Sequence, residues 1–307
     1  MTGLNRAEFL RLCGAGVAIG VSGLPRAGWG CEPMTTRPIP SSGEALPVVG
    51  LGTWQTFDVG EPAEERAPLA EVLRLLFEAG GTMIDSSPMY GRSEGVVGDL
   101  LRSAGTRDKA FLATKVWTEG RHRGIQQMEE SLRLLRTEKI DLMQVHNLVD
   151  WRTQLSTINV WKERGRARYN GITHYTPGAF GRLMSIIEAE KIDFVQLPFS
   201  IGVRDAEERL LPLCAEKGVA VIVNRPYEGG GLFRKIRGRE LPGWAEEFDC
   251  ASWGQFFLKY ILGHPAVTCV IPGTAKTRHM LDNVAAGRGR LPDEKTRQRM
   301  VQLIAEF

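Results

Sequence analysis

The sequence predicts an α/β fold of the (β/α)8 type, a TIM barrel with an N-terminal β-hairpin and one extra C-terminal helix. Three observations carry that prediction. Eight short apolar or β-branched runs alternate with amphipathic stretches of helical period. They fill about 250 residues without an internal linker, which is the size of eight βα units. No G-x-G-x-x-G opens a helix after an early strand, since neither "GLGTW" nor "GGTMID" leads into one, and a doubly wound sheet is therefore the runner-up.

Composition fits a globular chain. Its 307 residues are 43% hydrophobic and 24% charged, enough for one large core. A net charge of +3, with the basic residues scattered, argues against a nucleic-acid partner. Five cysteines, Cys13, Cys31, Cys214, Cys250 and Cys269, are odd in number and include no C-x-x-C pair, so neither a disulfide framework nor a zinc site is indicated.

The elements follow in order. Residues 1–30 carry two arginines, an apolar run over about residues 12–24, and then Pro25 and small residues, the layout of a signal segment too short to span a membrane comfortably. They resemble twin-arginine leaders through Arg6, Glu8, Phe9, Leu10 and Arg11, with Ala7 where the second arginine belongs. That likeness implies a periplasmic or exported protein; a cytoplasmic one with an unprocessed tail is the alternative. Residues 36–307 form the single barrel domain. "RPIPSSGEALPVVG" reads as a hairpin closing the lower end of the barrel. Strands are expected at 48–53, 82–86, 110–116, 140–146, 167–173, 194–199, 219–225 and 267–272. Between them lie helices such as "LAEVLRLLFEAGG", closed by Gly80, and "AEERLLPLCAEKG", closed by Gly218. "DEKTRQRMVQLIAEF" is the extra helix.

In such a barrel the chemistry stands at the C-terminal ends of the strands. The second ends at Asp85 with Tyr90 in the loop behind it, the third at Lys115 and the fourth at His146. An acid, a phenol, an ammonium and an imidazole would then meet at one rim. Each alone reads as easily as a solvated or structural residue; together they suit moving a proton while charge develops on a carbonyl oxygen. A phenol is a poor acid at neutral pH, a neighbouring ammonium should bring its pKa down, and a carboxylate keeps that ammonium charged and aimed. A histidine beside the phenol can donate a hydrogen bond to the carbonyl oxygen.

These four residues, in "TMID", "SPMYGRSE", "LATKVW" and "MQVHN" with spacings of 5, 25 and 31 residues, resemble the Asp, Tyr, Lys and His tetrad of the aldo-keto reductase family. The likeness runs over nearly all of residues 36–307. It implies hydride transfer from a nicotinamide to an aldehyde or ketone, with Tyr90 as proton donor. "CVIPGTAKTRHMLDN" runs from a strand into a helix start, where free N–H groups attract phosphate, and it resembles the family's segment for the adenosine phosphate. Thr274 matches its hydroxyl residue and Asn283 an asparagine that contacts adenine. Gly273 and His279 stand where many members carry lysine and arginine, and Lys276 and Arg278 could replace that charge. NADP is favoured and NAD stays open. Thr173 and His174 in "GITHY", and Gln196 in "FVQLPFS", match positions that hold the nicotinamide amide. Asn224 and Arg225 in "VNRPYEGGGLF" take the place where the family often stacks a tyrosine under the ring. Arg225 could lie against the ring or reach the pyrophosphate, and glycines 229–231 would admit phosphates or be a plain turn.

Trp54, Met89 and Trp117 would line an apolar substrate pocket, unless they are core packing. The expected partner is a small-molecule carbonyl substrate; no stable membrane span is expected, and the oligomeric state is open. Two other functions compete. One is a nicotinamide-binding sensor or regulatory subunit, against which the intact tetrad weighs. The other is a glycosidase, which needs a second carboxylate facing Asp85.

Overall fold

The computed structural model describes residues 32–307. The leader expected at residues 1–30 lies outside the described residues, as do Cys13 and Cys31. Two short strands, β1 (Thr36–Pro38) and β2 (Ala45–Pro47), pair antiparallel across a turn that Gly43 makes at φ 77°. Ile39 and Leu46 of this hairpin pack into the bottom of the barrel interior, and the Tyr169 hydroxyl reaches Ser42 Oγ at 2.7 Å. The hairpin therefore plugs the N-terminal end, as the sequence predicted.

Eight parallel strands follow: β3 (Leu51–Gly52), β4 (Met83–Asp85), β5 (Phe111–Val116), β6 (Ile140–His146), β7 (Ala167–Thr173), β8 (Phe194–Pro198), β9 (Ala220–Asn224) and β10 (Val267–Val270). Each pairs with the next, and parallel bridges from Val49 to Val270 and from Gly52 to Gly273 close the barrel. At this seam the Gly50 N–H donates to Val270 O and the Val270 N–H to Val48 O, both at 2.9 Å. β3 is shorter than the predicted run 48–53 because only isolated bridges form at the seam. A Cβ on Gly50 would stand 2.8 Å from Met83 O, so this crowded crossing admits no side chain.

Ten helices lie among the described residues: α1 (Ala63–Glu78), α2 (Ser93–Ala104), α3 (Arg121–Leu134), α4 (Trp151–Glu163), α5 (Phe180–Ala189), α6 (Leu210–Lys217), α7 (Gly231–Lys235), α8 (Trp253–Leu262), α9 (Thr277–Ala285) and α10 (Glu294–Ala305). Local chemistry ends them as expected. Gly105 and Gly218 cap α2 and α6 in the left-handed region, while Ser252 and Asp293 accept N–H groups at the starts of α8 and α10.

Strand periodicity sorts the core into two layers. Outward residues such as Ile84, Val145, Val195 and Val223 meet the helices, and inward ones such as Met83, Phe111, Leu142, Phe194 and Ile222 fill the barrel. The inward set is apolar at the bottom and turns polar two residues further on. That change positions the site.

Candidate active site

Counting up each strand by two from the apolar floor gives Asp85 on β4, Lys115 on β5, Gln144 and His146 on β6, Thr173 on β7, Gln196 on β8 and Asn224 on β9. Pairing sets Lys115 beside Gln144, His146 beside Thr173 and Thr173 beside Gln196. The predicted tetrad does converge, and its members bury one another.

Asp85 is the fixed point. Its Oδ2 accepts from Lys115 Nζ at 2.6 Å, and its Oδ1 accepts from Gln196 Nε2 at 2.9 Å and Gln144 Nε2 at 3.1 Å. A buried carboxylate with both oxygens engaged is held immobile. Lys115 is fully buried, yet all three of its N–H groups have partners: Asp85, the Ser86 carbonyl at 2.7 Å, and the Tyr90 phenol, over whose ring Nζ lies 4.9 Å from the centroid. Burial pulls the Lys115 pKa down, but the adjacent Asp85 and Tyr90 outweigh it and the net direction is up.

Tyr90 departs from one expectation. Lys115 does pull its pKa down, but burial of the phenol is the larger effect, Asp85 adds to it, and the net direction is up. The phenol is therefore held protonated, not poised as phenolate. Its backbone is pinned by a turn: the Tyr90 N–H donates to Ser87 O at 3.0 Å, and the Ser93 hydroxyl donates to Tyr90 O at 2.7 Å.

His146 stands edge-on to Tyr90, with ring centroids 5.9 Å apart. Burial first, then the Lys115 charge and His174, drive its pKa down to about 2, so the imidazole is neutral. Its Nδ1 lies 3.0 Å from Ser87 Oγ. Neither Ser87 nor Gln144 was singled out from the sequence. Gln144 was findable, because it lies two residues before His146 on the same strand face. Ser87 carried no such signal, being one of two serines in a loop.

The residues expected to hold the cofactor line the same rim. Thr173 Oγ1 donates to Gln196 Oε1 at 3.3 Å, so these two are joined to the Asp85 network. The His174 Nδ1 accepts the Thr176 N–H at 3.2 Å, which leaves its proton on Nε2. Asn224 Nδ2 donates to His174 O and Gln196 Oε1, both at 3.4 Å, while its Oδ1 is buried without a partner. Arg225 is exposed in the left-handed region at φ 51°, an uncommon conformation for a non-glycine residue, and its guanidinium lies against Gly229. After β10, Gly273 packs on the Gly52 carbonyl and Thr274 Oγ1 accepts the Lys276 N–H at 3.0 Å. Lys276 and Arg278 flank the start of α9, and the Arg278 Nε donates to His279 Nε2 at 3.3 Å. Among the described residues Arg225, Lys276 and Arg278 pair with no carboxylate. Unpaired cations and an unmet buried acceptor suit a phosphate-bearing ligand with N–H donors. Asn283, expected at adenine, is buried and its Oδ1 accepts the Tyr227 hydroxyl at 2.6 Å.

Trp54, Met89 and Trp117 are among the exposed large apolar residues, which removes the core-packing alternative. Trp117 stands 6.3 Å from the His146 ring. A cleft of about 1100 Å³ opens at the opposite end of the barrel, lined by Arg107, Asp141 and Arg168, but these charges pair with one another and no tetrad member reaches it. Among the described residues no group of His, Cys, Asp and Glu could hold a metal ion, and no helix is long and apolar enough to cross a membrane.

The chain is 29% identical to methylglyoxal reductase YeaE of Escherichia coli (strain K12) over 261 residues, 82% of this chain and 89% of that one. It is 31% identical to the uncharacterized oxidoreductase C215.11c of Schizosaccharomyces pombe over 268 residues, 81% and 82% of the two. A crystal structure of an aldo/keto reductase from Klebsiella pneumoniae in complex with NADP and acetate has the same fold, with a TM-score of 0.73 at 24% identity over 85% of this chain and 93% of that one. Residues 48–300 match the aldo/keto reductase family, and the chain, with its tetrad gathered at the rim of a (β/α)8 barrel, belongs to that family.

Proposed function

We propose that the chain reduces an aldehyde or ketone to the alcohol, with Tyr90 as proton donor and NADP as cofactor. The observation that carries this reading is the buried relay from Asp85 through Lys115 to Tyr90, beside a neutral His146. The cofactor, when bound, supplies a hydride; the protein manages the charge that results on the carbonyl oxygen. Burial keeps the Tyr90 proton in place at neutral pH, so a phenol is available to give one up. Lys115 then stabilises the phenolate left behind, and Asp85 keeps Lys115 charged and aimed. A neutral His146 donates an N–H to the same oxygen without adding a competing charge.

Thr173, His174 and Asn224 would hold the nicotinamide end, with Gln196 behind them joining Thr173 and Asn224 to Asp85. Arg225, Gly273, Thr274, Lys276, His279 and Asn283 would hold the phosphates and the adenosine. The unpaired Arg225, Lys276 and Arg278 favour NADP over NAD, since a 2′-phosphate needs such charge. The NADP in the Klebsiella pneumoniae structure agrees. Trp54, Met89 and Trp117 offer an apolar rim for the body of the substrate, and the name of the Escherichia coli relative points to small aldehydes.

Tyr90→Phe tests the reading. It should bind NADPH with wild-type affinity while kcat on a panel of aldehydes and ketones falls about 10²–10⁴-fold. Retained turnover would remove Tyr90 as donor. Wild-type protein that binds NADPH and oxidises none of it on any carbonyl would leave a nicotinamide-binding sensor as the better account.

A further inference from the structure

Three amide and carboxylate side chains run in series toward the rim, and the buried Asp85 carboxylate fixes the polarity of each. Asp85 Oδ1 can only accept, so Gln196 presents its NH2 there. Gln196 Oε1 therefore faces the other way, where it accepts from Thr173 Oγ1 and Asn224 Nδ2. The second neighbour of the Asn224 NH2 is also an acceptor, the His174 carbonyl. Turning the Asn224 amide over would set its oxygen against two oxygens, so the network determines which end is which. What remains is Asn224 Oδ1, shielded from solvent and without a hydrogen-bond partner in the protein. Buried carbonyls are rarely left this way.

We infer that Asn224 Oδ1 receives the carboxamide NH2 of the nicotinamide, an assignment that rests on the cofactor reading above and names the group that sets which way round that carboxamide lies. The chemistry selects among ligands. An aldehyde or ketone brings only an oxygen acceptor, which Oδ1 repels, whereas a primary carboxamide brings an N–H donor. Gln196 cannot take this role: its Nε2 is shared between Asp85 and Gln144, and both lone pairs of its Oε1 are occupied. Asn224 is the acceptor left open on the inward face of the strand ends, joined through Gln196 to Asp85.

Isothermal titration with NADP+ and with its 3-acetylpyridine analogue, in which a methyl ketone replaces the carboxamide and no NH2 exists, tests the assignment. Wild-type protein should bind NADP+ about tenfold more tightly than the analogue. Asn224→Leu should bind both alike, near the wild-type affinity for the analogue. Adenosine 2′,5′-bisphosphate, which has no nicotinamide, should bind wild type and variant equally, and Asn224→Ala serves if the leucine does not fold. Equal binding of the two dinucleotides by wild type, or an equal loss on both in the variant, overturns the assignment and leaves the cofactor reading standing. Failure of wild type to bind NADP+, its analogue or NAD+ overturns both.

Discussion

At the scale of single residues, the proposed reaction needs the one proton of a neutral His146 on the nitrogen turned to the carbonyl oxygen, and Ser87 is placed to put it there. Ser87 Oγ accepts the Met89 N–H at 3.3 Å and lies 3.0 Å from His146 Nδ1, where its own proton can be donated. With Ser87 as donor, the imidazole proton sits on Nε2. Ser87 is a positioning residue in this account, acting only through His146. Ser87→Ala should lower kcat by up to about tenfold, the worth of one hydrogen bond, with little change in NADPH affinity. The diagnostic readout is the ¹⁵N spectrum of His146: wild type should populate the Nε2–H tautomer alone and the variant a mixture. An unchanged spectrum would sink the idea even if kcat fell.

At the scale of elements, α2 is tied to β5 by a buried carboxyl. Glu94, in the first turn of α2, accepts the Thr114 hydroxyl at 2.5 Å, and burial raises its pKa from 4.5 to about 6. As pH rises from 4.5, the unfolded chain releases this proton before the folded one does. The folded state holds more protons in that window, so stability falls with rising pH; the favourable contribution is whole below 4.5 and gone above about 6. The displacement is worth about 2 kcal/mol. Glu94→Gln keeps an acceptor for Thr114 and never ionises. It should therefore exceed wild type by about 2 kcal/mol in urea denaturation at pH 8 and match it below pH 4.5. A gain independent of pH would assign the effect to packing instead. How much of the site was legible follows from the same elements. The strand-end residues could be read because a period of two carries each inward position up from the apolar floor. Ser87, Tyr227 and the partnering of Gln196 could not, because each depends on which loop or neighbouring strand folds against it, and no local pattern encodes that.

At the scale of the whole molecule, the barrel was legible for a physical reason: each of the strands β3 to β10 is either buried on both faces or flanked by turn residues, so each stands out against its helix. The seam was not, because β3 closes on β10 through isolated bridges around Gly50 instead of a regular ladder. Residues 34–307 form one unit that holds the hairpin plug, both core layers and the entire tetrad. Within that unit Asp85, Lys115 and His146 are held by hydrogen bonds from Gln196, the Ser86 carbonyl and Ser87. A chain starting at residue 32 should thus melt within about 2 °C of the full-length protein, bind NADPH within about twofold, and turn over carbonyls at the same rate. If residues 1–30 are an export leader of the twin-arginine kind, a barrel that works without them is also what their role requires, because such a route carries a protein already folded around its cofactor. An insoluble truncation, or one that binds NADPH much more weakly, would instead make those residues part of the working fold and count against a removable leader.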